Sequence, residues 1–304
     1  MIDLLTSGVW MIRWFLCLVC LLMPMGLKAD DSLVLPQLSP RASVSEVVGT
    51  TTVTVDFHRP GVKGRKIWGN PDLVPFGHVW RMGANEATTI RFSDAVKING
   101  APLAAGTYAI FAIPGPDQWT LVFNRNWRQM GAFDYQAKDD VLRFDVKPKS
   151  MSVFSEWLTY AIEPASRSSA YVDLRWERLR ISFLVEVDLE ALVTPRLKQA
   201  IARAGARDWR VFSDAAQYYL EEGRELTQAL AWVDRSVRIQ ENPTNLYVKA
   251  RILRELGQPP QALAILDKAL RLAWKQNAPG SVTGPIQQSM EQWKRIQGLN
   301  GNRK

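Results

Sequence analysis

From Arg41 to Leu189 apolar and polar residues alternate with period two in short runs: "ASVSEVVG", "TTVTVDFH", "ATTIRFS", "AVKING", "GTYAIFAIP", "QWTLVFN", "VLRFDV", "LTYAIE", "AYVDLRW" and "RISFLVEV". Each run is rich in Val, Ile, Thr and aromatics and is bounded by Gly, Pro, Asn or Asp, which predicts ten short strands. Strands of this length without intervening helices predict an antiparallel β-sandwich over 41–189. In "GTYAIFAIP" both alternating sets are apolar, so this strand should be central. "PGPD" then turns it, because Pro fixes φ and Gly accepts positive φ, and Trp119, Leu121 and Phe123 resume the alternation. A hairpin of 107–113 and 118–124 follows.

Beyond Thr194 and Pro195 the apolar period lengthens to that of a helix, and Gly, Pro and β-branched residues thin out. Ala216, Gly223, Ala229 and Ser236 are matched, a 34-residue shift on, by Ala250 and, at almost the same offsets, by Gly257, Ala262 and Ala269. Small residues let helices approach closely, and the shift is that of a tetratricopeptide repeat. The pattern predicts a linker or capping helix over 190–207, two tetratricopeptide-like repeats over 208–276, and a capping helix and tail over 277–304. The fold class expected is therefore β plus α, a sandwich followed by a short helical-repeat region.

The N-terminus changes the compartment. Arg13 precedes the apolar run "WFLCLVCLLMPM", and a small residue, Ala29, precedes Asp30 and Asp31. That order is a secretory signal peptide over 1–29, followed by a linker over 30–40. The initiator is either Met1 or Met11. Export to periplasm or medium is expected, with no membrane span after cleavage. Cys17 and Cys20, the two cysteines, both fall in the leader, so the mature chain has neither thiol nor disulfide and must be held by its cores.

With 47% hydrophobic and 22% charged residues the chain is globular in composition, and its net charge of +8, of which the leader holds one unit, favours acidic partners. No nucleic-acid motif is present. Catalytic signals are thin. His58 and His78 lack metal-ligand spacing with Asp56, Asp72 or Glu86, no G-x-S-x-G elbow occurs, and "GVKGRKIWGN" lacks the ending of a phosphate loop. Neither a metal nor a cofactor is expected.

The densest polar cluster is "HVWRMGANEATTIRF", residues 78–92. Two readings fit it. Arg81 and Glu86 would form a buried ion pair while Asn85, tolerant of the left-handed conformation, closes a loop. Alternatively the cluster lines a ligand pocket: Trp80, Asn85 and Thr88, beside the "RPGVKGR" loop with Arg59 and Arg65, joined by Arg81 and Glu86 where these two are not a buried pair. On the first repeat Arg210 and Gln217, and on the second Tyr247, Arg251 and Arg254, fall at the helix positions that line a concave face, along with Thr244, Ser213 and Leu220. The three arginines make that face a candidate groove for an acidic peptide.

In order, "SPRASVSEVVG", "RPGVKGRKIWG", "VWRMGANEATTIRFS", "AGTYAIFAIPG" and "WTLVFN" resemble the bacterial domain-of-unknown-function family 2911 over about residues 38–188. The resemblance implies an exported protein, often with tetratricopeptide-like helices following, and membership for Trp80, Arg81, Gly83, Asn85, Glu86 and Thr88, supported by Arg59, Arg65, Gly106, Thr107 and Tyr108. It implies no activity. Where the family tends to carry Trp-Gly after the "N" strand, this chain has Met130 and Gly131. The expectation is a non-catalytic envelope protein that binds a ligand or glycan through its sandwich and a peptide through its helices, the alternative being a glycan hydrolase built on 78–92.

Overall fold

The computed structural model describes residues 35–301, so the expected signal peptide, the first residues of the expected linker and the last residues of the expected tail lie outside the described part. Ten strands precede six helices. The strands are β1 (Arg41–Val48), β2 (Thr51–His58), β3 (Thr89–Phe92), β4 (Val96–Ile98), β5 (Ala101–Leu103), β6 (Gly106–Ile113), β7 (Trp119–Asn124), β8 (Asp140–Val146), β9 (Lys149–Ser166) and β10 (Ser169–Glu186). They form two antiparallel sheets. One has the order β1-β2-β3-β6-β7-β8 and the other β5-β4-β10-β9.

Alternation assigns the faces. In β2, Val53, Val55 and Phe57 are buried between the sheets, while Thr54 and Asp56 point to the opposite face and are partly exposed. Opposite them Leu158, Val172, Phe183 and Val185 fill the core from the four-stranded sheet. At one end Trp68 meets Trp80, Trp119 and Trp176 edge to face, with ring centroids 5.1–6.0 Å apart. Such aromatic packing supplies large buried area in fixed geometry.

β6 is central, as its two apolar faces predict, and pairs with β7 through the register Ile113↔Thr120. Its inner face joins the main core. Its outer face, with Ala109 and Phe111, forms a second small cluster with Val122 and Ala87, against which Ala132 and Tyr135 pack. The segment between β7 and β8 thus lies over the outer face of the six-stranded sheet. Asn124, fully buried, holds it there: its amide donates to the carbonyl of Gln136 and to Asp140 Oδ1, and its Oδ1 accepts the N–H of Asn126.

Two strand expectations need correction. "AYVDLRW" and "RISFLVEV" are one strand, β10, interrupted by bulges around Glu177, whose φ is +56°. A non-glycine residue in that region needs support, and the Trp68 indole N–H provides it by donating to Glu177 Oε2 at 2.9 Å. "LTYAIE" is only the second half of β9, whose first half has no buried face and so carries no alternation signal. β5 was not expected; it is three residues long and contains Pro102.

The helices are α1 (Leu189–Arg203), α2 (Trp209–Glu221), α3 (Leu226–Ile239), α4 (Pro243–Glu255), α5 (Pro259–Lys275) and α6 (Gly280–Gly301). Ala216, Ala229, Ser236, Ala250, Ala262 and Ala269 are all fully buried, and Gly223 and Gly257 sit with positive φ in the α2–α3 and α4–α5 turns. α4 starts on a capping box in which Asn242 and Asn245 satisfy each other's backbone N–H, with Pro243 in the first turn. Among the described residues no helix is long and apolar enough to cross a membrane.

Candidate functional site

The cluster at 78–92 turns out to be mainly a brace. Trp80 is 5% exposed, and its backbone exchanges hydrogen bonds with Ala112. Met82 is fully buried at φ +54°, a costly conformation for its residue type. Its carbonyl accepts two hydroxyls, from Thr88 at 3.0 Å and Tyr160 at 3.1 Å. Burial holds the Tyr160 phenol far above its ordinary pKa, so the donor stays protonated. Gly83 is required by space: a Cβ there would lie 2.8 Å from Thr88 Oγ1 and 3.2 Å from the His58 carbonyl. Asn85 turns the chain at φ +55°, as its residue type allows, and its amide reaches the Ser39 carbonyl at 3.4 Å.

The expected Arg81–Glu86 pair does not form. Arg81 lies beside Gly131, its buried Nε has no hydrogen-bond partner, and desolvation depresses its pKa. Glu86, beyond the left-handed turn at Asn85, faces His58 instead, with Oε2 3.4 Å from Nδ1 and its side chain 56% exposed. The pocket expected on Trp80, Thr88, Arg59 and Arg65 is not there either. Trp80 and Thr88 are interior residues. Arg59 donates to the Leu158 carbonyl and Thr159 Oγ1, and Arg65 to the Val62 and Gly61 carbonyls, so both guanidinium groups tie the 59–65 loop to itself and to β9.

A cleft of about 590 Å³ opens nearby, on the outer face of the six-stranded sheet. Asp56 and His58, two apart on β2, supply its floor. Glu86, Ala87 and Thr89 form one wall and Trp127, Arg128, Gln129 and Met130 the other, while Arg41 and Gln37 close an end. The walls are zipped together: Ala87 N–H donates to the Gln129 carbonyl at 3.1 Å, and Glu86 bridges Met130. His58 is 7% exposed, and its pKa is lowered by burial first, with Arg41 and Arg81 adding to that and Glu86 opposing it. Burial thus favours its neutral form.

Charges across the cleft balance. Arg41 pairs with Asp56 at 3.3 Å, and Arg128 lies over the Trp127 ring at 4.3 Å. Gln129, 7% exposed, leaves its Oε1 without a partner. The Met130 that replaces the expected aromatic lines the cleft, and Trp127, 37% exposed, supplies an indole three residues earlier. Of the residues expected to bind a ligand, only Glu86 lines this cleft; His58, Asp56, Trp127, Arg128 and Gln129 were not foreseen. The one local signal was "DFH", whose period of two puts Asp56 and His58 on the same face.

Residues 39–185 match the model of a family described as "Protein of unknown function (DUF2911)". The match spans nearly the whole sandwich, including both walls of the cleft, and stops before α1. No curated protein and no solved structure matches the chain.

In the helices the expected partner face is only partly assembled. Ser213 and Leu220 are buried, Arg210 lies over Trp209, and Gln217 donates to Glu221. Tyr247 shares a hydrogen bond with Ser289 of α6. Arg251 and Arg254 do line a common cavity of about 390 Å³ together with Leu220 of the first repeat, Glu255, Ser289, Gln292 and Trp293, and Arg254 lies over the Trp293 ring at 4.7 Å.

Proposed function

We propose that the DUF2911 sandwich is a non-catalytic module that binds a polyhydroxylated ligand, a glycan of the cell envelope, in the His58–Glu86 cleft. The observation that carries this reading is the pairing of a partly exposed indole, Trp127, with the balanced charges of Arg41, Asp56, Glu86 and Arg128 around the same cleft. A sugar ring offers an apolar face for an indole and vicinal hydroxyls for planar carboxylate, amide and guanidinium groups. Ligand sites of this kind combine an aromatic wall with a few placed polar groups. Calorimetric titration with envelope oligosaccharides tests it. Binding lost in Trp127→Ala with an unchanged melting temperature supports the reading, and equal binding by wild type and Trp127→Ala sinks it.

One observation favours the hydrolase alternative: Asp56 and Glu86 line the same cleft. A paired-carboxylate mechanism would need one of them as a proton donor, whereas Asp56 already accepts a hydrogen bond from Arg41. Turnover of an oligosaccharide that disappears in Glu86→Gln would replace the binding function by a catalytic one.

The helical part is read as two tetratricopeptide-like repeats holding an acidic peptide. Its support is the full burial of the small residues at the 34-residue shift and the shared cavity of Arg251 and Arg254. Exchanging both arginines for Glu should abolish capture of an acidic peptide while the helical circular dichroism stays unchanged. Capture that survives the exchange removes the idea. Export, expected from the leader, makes the envelope the place where both ligands would be met.

A further inference from the structure

The first half of β9 has no place in the core. In residues 149–157 apolar and polar positions do not alternate and neither face is buried: Val153 is 74% exposed, Phe154 45% and Trp157 39%. β9 is also the last strand of its sheet, and before Glu156 its outer edge has no backbone partner among the described residues. From Glu156 onward the 59–65 loop covers that edge, through Val62 N–H to the Glu156 carbonyl and Leu158 N–H to the Pro60 carbonyl. An exposed apolar edge is a liability unless something covers it.

The surrounding charges say what kind of surface would do so. Lys63 reaches over the Trp157 ring at 6.0 Å, and Arg178 lies 5.9 Å from the Phe154 ring while donating to the Ser152 carbonyl. Neither cation has an acidic partner among the described residues. Lys149 at the start of the strand and Lys66 in the neighbouring loop are exposed as well. The two acids within the patch are engaged, Glu156 by the backbone N–H of Lys63 and Glu177 by the indole N–H of Trp68. Aliphatic and aromatic side chains ringed by Lys and Arg are what a bilayer interface of negative lipids selects: the apolar groups enter the acyl boundary, the indole stays at the headgroups, and the cations meet the phosphates.

We propose that the 149–157 edge of β9 docks the protein on an anionic lipid surface. The site is distinct from the glycan cleft and does not rest on that reading. Docking would cover the open edge and hold the sandwich beside the membrane.

The test is vesicle binding by the full chain, with a local readout, because an unprocessed leader would itself adhere to lipid. Vesicles of phosphatidylcholine alone and of phosphatidylcholine with phosphatidylglycerol, carrying brominated acyl chains, are mixed with wild type and with Trp157→Phe. The difference in fluorescence quenching between the two proteins reports position 157 alone. We expect a difference with the anionic vesicles only, reduced several-fold as salt rises from about 0.05 to about 0.5 M. Phe154→Asp and Val153→Asp, both at exposed positions, should each remove the quenching that depends on Trp157 while leaving the melting temperature unchanged. No quenching difference, or one equal on neutral vesicles, overturns the proposal. So does self-association that Phe154→Asp abolishes in the absence of lipid-dependent quenching, which would assign the edge to a second copy of the chain.

Discussion

His58 illustrates how one side chain reports its surroundings. Burial lowers its pKa from 6.5, against the partial opposition of Glu86. The fold therefore prefers the neutral ring. Stability is complete above pH 6.5 and is lost as the pH falls through the lower folded-state value. Melting temperatures of wild type and His58→Gln should diverge below that pH, wild type showing the steeper acid loss. Glu86→Gln removes the opposing charge and should move the imidazole titration, followed by NMR, to still lower pH. Arg81 and Glu86 are not a buried pair, so Glu86→Gln should cost less than about 1 kcal/mol. Arg81→Met should likewise fall well short of the about 3–5 kcal/mol of a broken buried pair; a loss of that size in a chemical melt would restore the pair. The two tryptophans of the region separate cleanly. Trp80→Ala opens a core cavity and should cost about 3–5 kcal/mol, whereas Trp127→Ala at the cleft rim should stay within about 0.5 kcal/mol.

At the scale of elements, the 78–88 loop is fixed by close approach rather than by regular structure. Gly83→Ala would press a methyl group against Thr88 Oγ1 and the His58 carbonyl. A loss of about 1–3 kcal/mol is expected, and because the same carbonyl belongs to the residue on the cleft floor, ligand affinity should fall with it. Thermal melts and titrations on the one variant check both. Much of this level was legible in advance. The β6–β7 hairpin was visible because both of its strands obey a local period and Pro-Gly marks the turn. The bulged β10 was not, because its left-handed Glu177 is held by Trp68, a residue 109 positions away in the chain.

For the molecule as a whole, sandwich and helices meet where Leu189 and Leu192 of α1 pack against the sandwich core and through ion pairs at the surface: Arg167 with Glu222 at 3.1 Å and Arg196 with Asp94 at 2.7 Å. Pairs of this kind hold little free energy and are screened by salt. Each part has its own apolar clusters, the sandwich a large core and a small outer cluster and the helices two. Scanning calorimetry should therefore show two transitions rather than one, separating further as salt is raised; a single transition at every salt concentration would mean a tighter union. Processing belongs to this scale too: the proposed export predicts a mature protein whose N-terminal sequence begins at Asp30, and a retained 1–29 segment would overturn it.

The sequence by itself determined the sandwich, the helical region after it, the central hairpin, the small residues between helices and the left-handed turn at Asn85. All of these follow from local period or from the conformational range of a single residue type. Only the tertiary structure decided where the polar side chains of 78–92 would point. Arg81 and Glu86 are close in sequence and parted by a left-handed turn, while His58 and Glu86 are far apart in sequence and face each other across 3.4 Å. The cleft was hidden for the same reason: its floor comes from β2, one wall from the loop before β3 and the other from the segment that Asn124 pins over the sheet. Periodicity tells which face of a strand is buried, but which distant loop lies on the opposite face depends on packing that no local pattern records.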